Sequence, residues 1–152
     1  MKFLITFLLA GIISCCAFSS KGQTKAMADY SEATTYVNNF FDIYKSQGSN
    51  KALDYLATKH TGIVISAEQW NFLKSKLDSV RPVLGNFTGY EIINQKAIAR
   101  SIVFFSYLVK HINHPIRFTF IFYKPEDHWV IHNVLFDSDE MFEELKQSGK
   151  IN

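Results

Sequence analysis

The chain has 152 residues, with 16 Lys and Arg against 14 Asp and Glu, a formal charge of +2. That length holds one self-sufficient core and excludes two ordinary domains. The small charge excess, with no dense Lys/Arg cluster, excludes nucleic acid as an expected partner.

The start of the chain reads as an export leader. Lys2 precedes an uncharged run from Phe3 to Phe18, followed by small polar residues. At about 16 residues the run is short of the ~20 that a membrane-spanning helix needs. Signal-peptidase cleavage is expected after Ala17-Phe18-Ser19 or after Ser20-Lys21-Gly22. Alternatively Ile12-Ile13-Ser14-Cys15 resembles a bacterial lipobox, in which Cys15 would carry a lipid and tie the protein to a membrane. Both routes place the protein outside the cytoplasm: periplasmic, secreted, or lipid-anchored at the cell envelope. Taking residues 1–22 off the 152 leaves a domain of 130 residues, 23–152, with 14 basic and 14 acidic side chains. Both cysteines go with the leader, so this domain is expected to be stable without disulfides.

Residues 23–28 read as a lead-in. Tyr30, Ala33, Val37, Phe40, Phe41 and Tyr44 then recur at helical spacing and predict a helix over 29–46. A second helix is expected over 50–59, burying Leu53 and Leu56, with Gly62 beyond it and a short extended stretch at Ile63-Val64-Ile65. Ser66-Ala67-Glu68-Gln69 has the form of a capping box. It opens a third helix whose apolar face is Trp70, Leu73, Leu77 and Val80. Pro82 predicts its end near residue 81.

From Phe87 the period becomes two, with strands expected at 87–94, 98–111, 115–124 and 128–136. The breaks at Gln95-Lys96, Ile112-Asn113 and Pro125-Glu126-Asp127 are too short for parallel crossovers, so an antiparallel meander follows. Asp137 is expected to cap a last helix carrying Met141 and Leu145, with Gly149 as its stop. Helices first and strands after make the fold class α+β. One sheet face is expected to lie under the helices: Ile102, Phe104, Leu108, Ile116, Phe118, Phe120, Phe122, Trp129, Ile131 and Leu135, with Ser106 and Asn133 as polar exceptions. The other, with Val103, Phe105, Tyr107, Val109, Thr119, Ile121, His132 and Val134 among its residues, is amphipathic yet too aromatic to face solvent throughout, and is expected to be partly covered by a second subunit.

This order of elements, with Trp70 and Leu73 on the third helix, Leu84-Gly85-Asn86-Phe87 leading into the sheet, and Trp129-Val130-Ile131 running to Phe136-Asp137, resembles the nuclear transport factor 2-like superfamily, the cystatin-like α+β cone, over residues 29–137. It looks most like small exported bacterial members. The resemblance implies a curved four-stranded sheet wrapped around the third helix, a pocket between sheet and helices, and a homodimer through the sheet. Here the pocket would be lined by Trp70, Ser106, Phe118, Phe120, Trp129 and Asn133, for a small apolar or amphipathic ligand. A reaction is not implied, because the superfamily holds isomerases, cyclases and dehydratases beside plain binding modules.

Catalysis in such a pocket needs a desolvated carboxylate or histidine. The expected core face offers neither. On the other face Tyr107, Thr119 and His132 would line up, and Tyr107 with His132 is a candidate acid/base couple for a lyase or isomerase. With the first hairpin turning at Gln95-Lys96, Glu91 and Arg100 fall opposite each other, as a cross-strand ion pair in the first reading and a ligand clamp in the second. His111 and His114 flank a hairpin without a carboxylate or cysteine to complete a metal set, and His128 and His132 lie about 13 Å apart along one strand. His60 reads as a cap or a solvated position after a helix end. No metal, cofactor, phosphate loop or nucleophile elbow is expected. The leading expectation is a non-catalytic exported module that binds a small ligand or another envelope protein. A small lyase or isomerase, and a structural lipoprotein adaptor anchored at Cys15, stand beside it.

Overall fold

A computed structural model describes residues 29–59 and 65–148. The leader with Cys15, the lead-in 23–28, His60, Gly62, Ile63, Val64 and Gly149 lie outside the described residues. The element order is α1 (Ser31–Gln47), α2 (Ser49–Ala57), α3 (Ala67–Leu84), β1 (Phe87–Ile98), β2 (Ile102–His111), β3 (Ile116–Tyr123), β4 (Val130–Asp137) and α4 (Asp139–Ser148). The four strands form one antiparallel sheet in the order β1-β2-β3-β4. The fold is therefore α+β, helices followed by a meander and a short last helix. Among the described residues no helix is long and apolar enough to cross a membrane.

The apolar stripe of α1 is buried as its spacing requires, at Ala33, Val37, Phe40, Phe41 and Tyr44. The helix crosses one face of the sheet. Its first turn meets the β3–β4 loop, where Glu32 accepts from the Trp129 amide at 2.9 Å and the Asp29 carbonyl accepts from the Trp129 indole at 3.0 Å. Its last turn meets the start of β1 and the end of β2, through Tyr44 against Phe87 and His111. Between these ends Phe41 stacks on Tyr90 at 3.9 Å, and Phe40 and Phe41 both pack on Phe118 and Phe120.

The capping box at the head of α3 is formed in both directions: the Gln69 amide donates to Ser66 Oγ at 3.2 Å and the Ser66 amide to Gln69 Oε1 at 2.7 Å. The expected stop at residue 81 is corrected. α3 continues through Pro82 to Leu84, because Leu77 and Leu84 lie two turns apart on one buried face and the Leu84 carbonyl is held by the Asn113 amide at 3.0 Å. The helix ends at Gly85, whose φ of 75° suits glycine. A side chain there would also meet the Asn113 side-chain Nδ2 at 2.9 Å.

The first hairpin is corrected as well. β1 runs on to Ile98, which pairs with Ile102, so the turn falls at 99–101 and not at Gln95-Lys96. Arg100 is then a turn residue, and Glu91 pairs across the strands with Leu108 and ionically with Lys110. Trp129 precedes β4, and Asp137 is the last residue of that strand. The expected capping role of Asp137 is kept from that position, its Oδ1 accepting from the Met141 amide at 3.1 Å.

Candidate functional site

The sheet register decides which residues face the helices. β2 pairs Val103 with Phe122, Phe105 with Phe120, Tyr107 with Phe118 and Val109 with Ile116. On β4, Phe136 pairs with Phe118, Val134 with Phe120 and Ile131 with Phe122, the last after a bulge at His132. These side chains are buried and belong to one core with α1, α2 and α3. The expected face is therefore wrong for β2 and in part for β4: Ile102, Phe104, Ser106 and Leu108 point away from the helices, as do Asn133 and Leu135.

That outer face can be read row by row across the strands. Ile98, Ile102 and Tyr123 form one row; Lys96, Phe104, Ile121 and Asn133 the next; Asn94, Ser106, Thr119 and Leu135 a third; Glu91, Leu108, Arg117 and Asp137 the last. Ile98 is 63% exposed, Leu135 49% and Tyr123 41%. Ser106 and Thr119, with small side chains among bulkier neighbours in their rows, are buried. α4 is tied to the last row. Arg117 bonds Asp137 through Nε at 2.9 Å and Glu144 through Nη1 at 2.6 Å, and lies 3.9 Å from Glu140. The Glu144 bond, against a smaller opposing effect of burial, holds the guanidinium above its usual range, with Asp137 adding to it.

The six pocket candidates do not line one space. Phe118 and Phe120 are fully buried in the aromatic core, with rings 5.9 Å apart. Trp70 is buried on α3 and Trp129 is pinned to the start of α1, while Ser106 and Asn133 face the other way. The volume between α1 and the sheet is occupied by Phe40, Phe41, Tyr107, Phe118 and Phe120. Tyr107 shares a row with Phe118 and Phe136, so it does not meet Thr119 or His132. Two strand spacings, about 10 Å, separate β2 from β4, and His132 is exposed at the bulge. His132 and Asn133 do meet in a surface groove of about 310 Å³ between β4 and α3, beside Phe72 and Lys76.

No family model, curated protein or solved structure matches this chain.

A second cluster lies where α1, α2, α3 and the sheet converge. Tyr44, Lys45, Gly48, Ser49, Arg81 and His111 are among the residues that line an open cleft of about 460 Å³. The Tyr44 hydroxyl and His111 Nε2 are 3.1 Å apart. Burial pushes the Tyr44 phenol up to about 12, with Asp78 adding to it and Arg81 opposing. Burial pushes the His111 imidazole below its ordinary 6.5, partly offset by the Val109 carbonyl. Burial thus favours the uncharged form of both rings. Behind them Asn50 donates to Asp78 Oδ2 at 2.7 Å. Ser49 Oγ, Asn50 Oδ1, Asp78 Oδ1 and His111 Nδ1 are buried without a hydrogen-bond partner in the protein. Such groups are expensive to bury unsatisfied, and their clustering marks this region out.

The sequence hides this cleft, because Tyr44 belongs to the apolar stripe of α1 and His111 has only His114 near it along the chain. The one local signal is a stripe ending in a residue with a polar tip, four residues before Gly48. Among the described residues no group of three or more His, Cys, Asp or Glu side chains is placed to hold a metal ion.

Proposed function

We propose that this protein is an exported, non-catalytic binding module of the nuclear transport factor 2-like kind, and that it works through the outer face of its sheet, with a second copy of itself as the first partner. The observation that carries the reading is the outer face itself. Ile98, Ile102, Tyr123, Phe104, Ile121 and Leu135 form a continuous apolar field around Ser106 and Thr119, with Lys96 at its edge. A field of this kind is unusual on a surface that meets only water.

A second copy suits the relief of the surface. Phe104 and Ile121 stand one row above the low pair Ser106 and Thr119. A two-fold axis running across the strands between those rows sets Phe104 and Ile121 of each copy over Ser106 and Thr119 of the other, as an isologous contact requires. Four strands about 4.8 Å apart and eight residues of about 3.3 Å each give roughly 500 Å² in projection. Side-chain relief brings this toward the ~800 Å² per partner of a standard interface. α4 is tied to one end of the face and leaves a contact at the small end of that range, for which an affinity of about micromolar is expected.

The filled interior and the separation of Tyr107 from His132 support a binding role over lyase or isomerase chemistry. Export and anchoring at Cys15 rest on the leader alone. The test of self-association is light scattering on the purified protein. A dimer mass at tens of micromolar is expected, and a monomer throughout that range would refute the reading.

A further inference from the structure

We infer that the cleft between the end of α1, the start of α2 and Arg81 is a binding site for a small organic monocarboxylate with a flat apolar body. The inference does not depend on self-association, since the cleft is on the helix-covered side of the sheet and the proposed partner face is on the other.

Three independent observations converge on this ligand. The first is the N-terminus of α2. Its cap is Gly48, no side chain bonds its first amides, and its first turn holds no acidic residue. Free amides at a helix start carry a partial positive charge and accept an anion readily. The second is Ser49, the first residue of that helix. It lines the cleft and is only 3% exposed, yet its hydroxyl has no partner in the protein. A buried hydroxyl left unpaired is costly, and a ligand oxygen would satisfy it. The third is the cationic rim. Lys45 and Arg81 both line the cleft and are exposed, and neither is ion-paired among the described residues.

The rest of the lining specifies the body and the charge of the ligand. Tyr44, Phe87 and His111 form an aromatic wall, with ring centres 5.2 to 5.9 Å apart. Such a wall suits a planar apolar group packed edge-on or stacked. Lys45 and Arg81 supply two positive charges, and Asp78, close enough to act on the Tyr44 phenol, removes one. The net of one positive charge favours a carboxylate over a phosphate dianion, and an Arg fork fits carboxylate geometry.

The experiment is a titration of the purified protein at low ionic strength, followed by calorimetry and by amide chemical shifts. The probes are benzoate, its neutral isostere benzamide, and inorganic phosphate. Benzoate is expected to bind in about the millimolar range, as a ligand of that size allows. Shifts should centre on residues 44–49, 85–87 and 111. Benzamide and phosphate should bind at least about tenfold more weakly, the difference a charge-assisted contact supplies. Arg81→Gln should weaken benzoate about tenfold, and Lys45→Gln should weaken it less. Both sites are exposed, so the fold should be retained, which the unperturbed remainder of the spectrum verifies. The inference is overturned by equal binding of benzoate and benzamide, by tighter binding of phosphate, by shifts centred elsewhere, by an Arg81→Gln variant that binds benzoate as before, or by no binding of benzoate at ten times the expected concentration.

Discussion

Replacing Phe120 by alanine tests whether the space under α1 is solid. The ring is fully buried and packs on Phe40 at 5.2 Å, Phe41 at 5.8 Å, Phe118 at 5.9 Å and Tyr107 at 6.0 Å. Removing the phenyl group forfeits about 2 kcal/mol of transfer free energy. If roughly 80 Å³ stays open, the cavity adds about 2 kcal/mol at ~24 cal/mol per Å³. The total of about 4 kcal/mol is a large part of the 5–15 kcal/mol typical of a domain. The deleted group has the shape of benzene, so benzene should enter the variant and restore part of the loss, by about 1.4 kcal/mol at ten times its dissociation constant. Urea unfolding with and without benzene measures both effects. Phe120→Leu, expected to cost about 1–1.5 kcal/mol, serves as the milder variant if alanine leaves too little folded protein. Wild type should gain nothing from benzene. A wild-type protein stabilised by benzene, or a Phe120→Ala cost under about 1 kcal/mol, would mean that the interior holds usable space and that the argument against an internal pocket is wrong.

Further outcomes follow from the same geometry. Arg117→Gln should free α4 from the last row of the outer face and cost about 1.5–3 kcal/mol, mostly from the half-buried bond to Asp137, since the exposed Glu140 and Glu144 contacts add little. Hydrogen exchange should show 139–148 opening before the sheet. Ala99 holds a φ of 55° in the first hairpin, so Ala99→Gly should stabilise the protein by about 1 kcal/mol in urea unfolding. Acid should destabilise the fold in two steps. His111 is depressed in the folded state, so its contribution is whole above 6.5 and falls away as pH drops through the folded value; His111→Gln should remove this step from the melting-temperature profile. For Glu32, burial raises the carboxyl, but bonds from the Tyr36 hydroxyl and the Trp129 amide more than offset it and leave it lowered. Its contribution is therefore present above 4.5 and lost at lower pH. If Cys15 is the lipidated residue, Cys15→Ala should abolish palmitate labelling of the exported protein.

The helices were legible because their signals are local. The stripe of α1 and the capping box of α3 depend only on spacing within a few residues, and both formed as expected. Strand faces were harder, because β2 and β3 carry apolar residues at both parities, as in Ile102-Val103-Phe104-Phe105 and Phe118-Thr119-Phe120-Ile121. Period alone cannot choose a side in such strands. The turn at Ile112-Asn113 could have chosen: a two-residue turn there sets His111 opposite His114, and so pairs odd positions of β2 with even positions of β3, as the register shows. On β4 the bulge at His132 shifts the parity within one strand, and nothing in Trp129-Val130-Ile131-His132 announces it. The cleft was hidden for a different reason. Tyr44, Ser49, Arg81 and His111 come from four elements, and their proximity exists only once the helices are docked on the sheet.

Sedimentation equilibrium on three forms of the protein bears most directly on the outer face as the working surface. Ile121→Asp puts a carboxylate at the centre of the proposed contact in each copy, a cost of about 3 kcal/mol or more and so a dissociation constant at least about 100-fold higher than that of wild type. Val83→Asp, at a position 65% exposed on α3, makes the same chemical change away from that apolar field and should leave the dimer intact. A monomer is expected for Ile121→Asp and a dimer for Val83→Asp and wild type. A dimer that survives Ile121→Asp, or one that Val83→Asp abolishes, would contradict the outer face as the working surface.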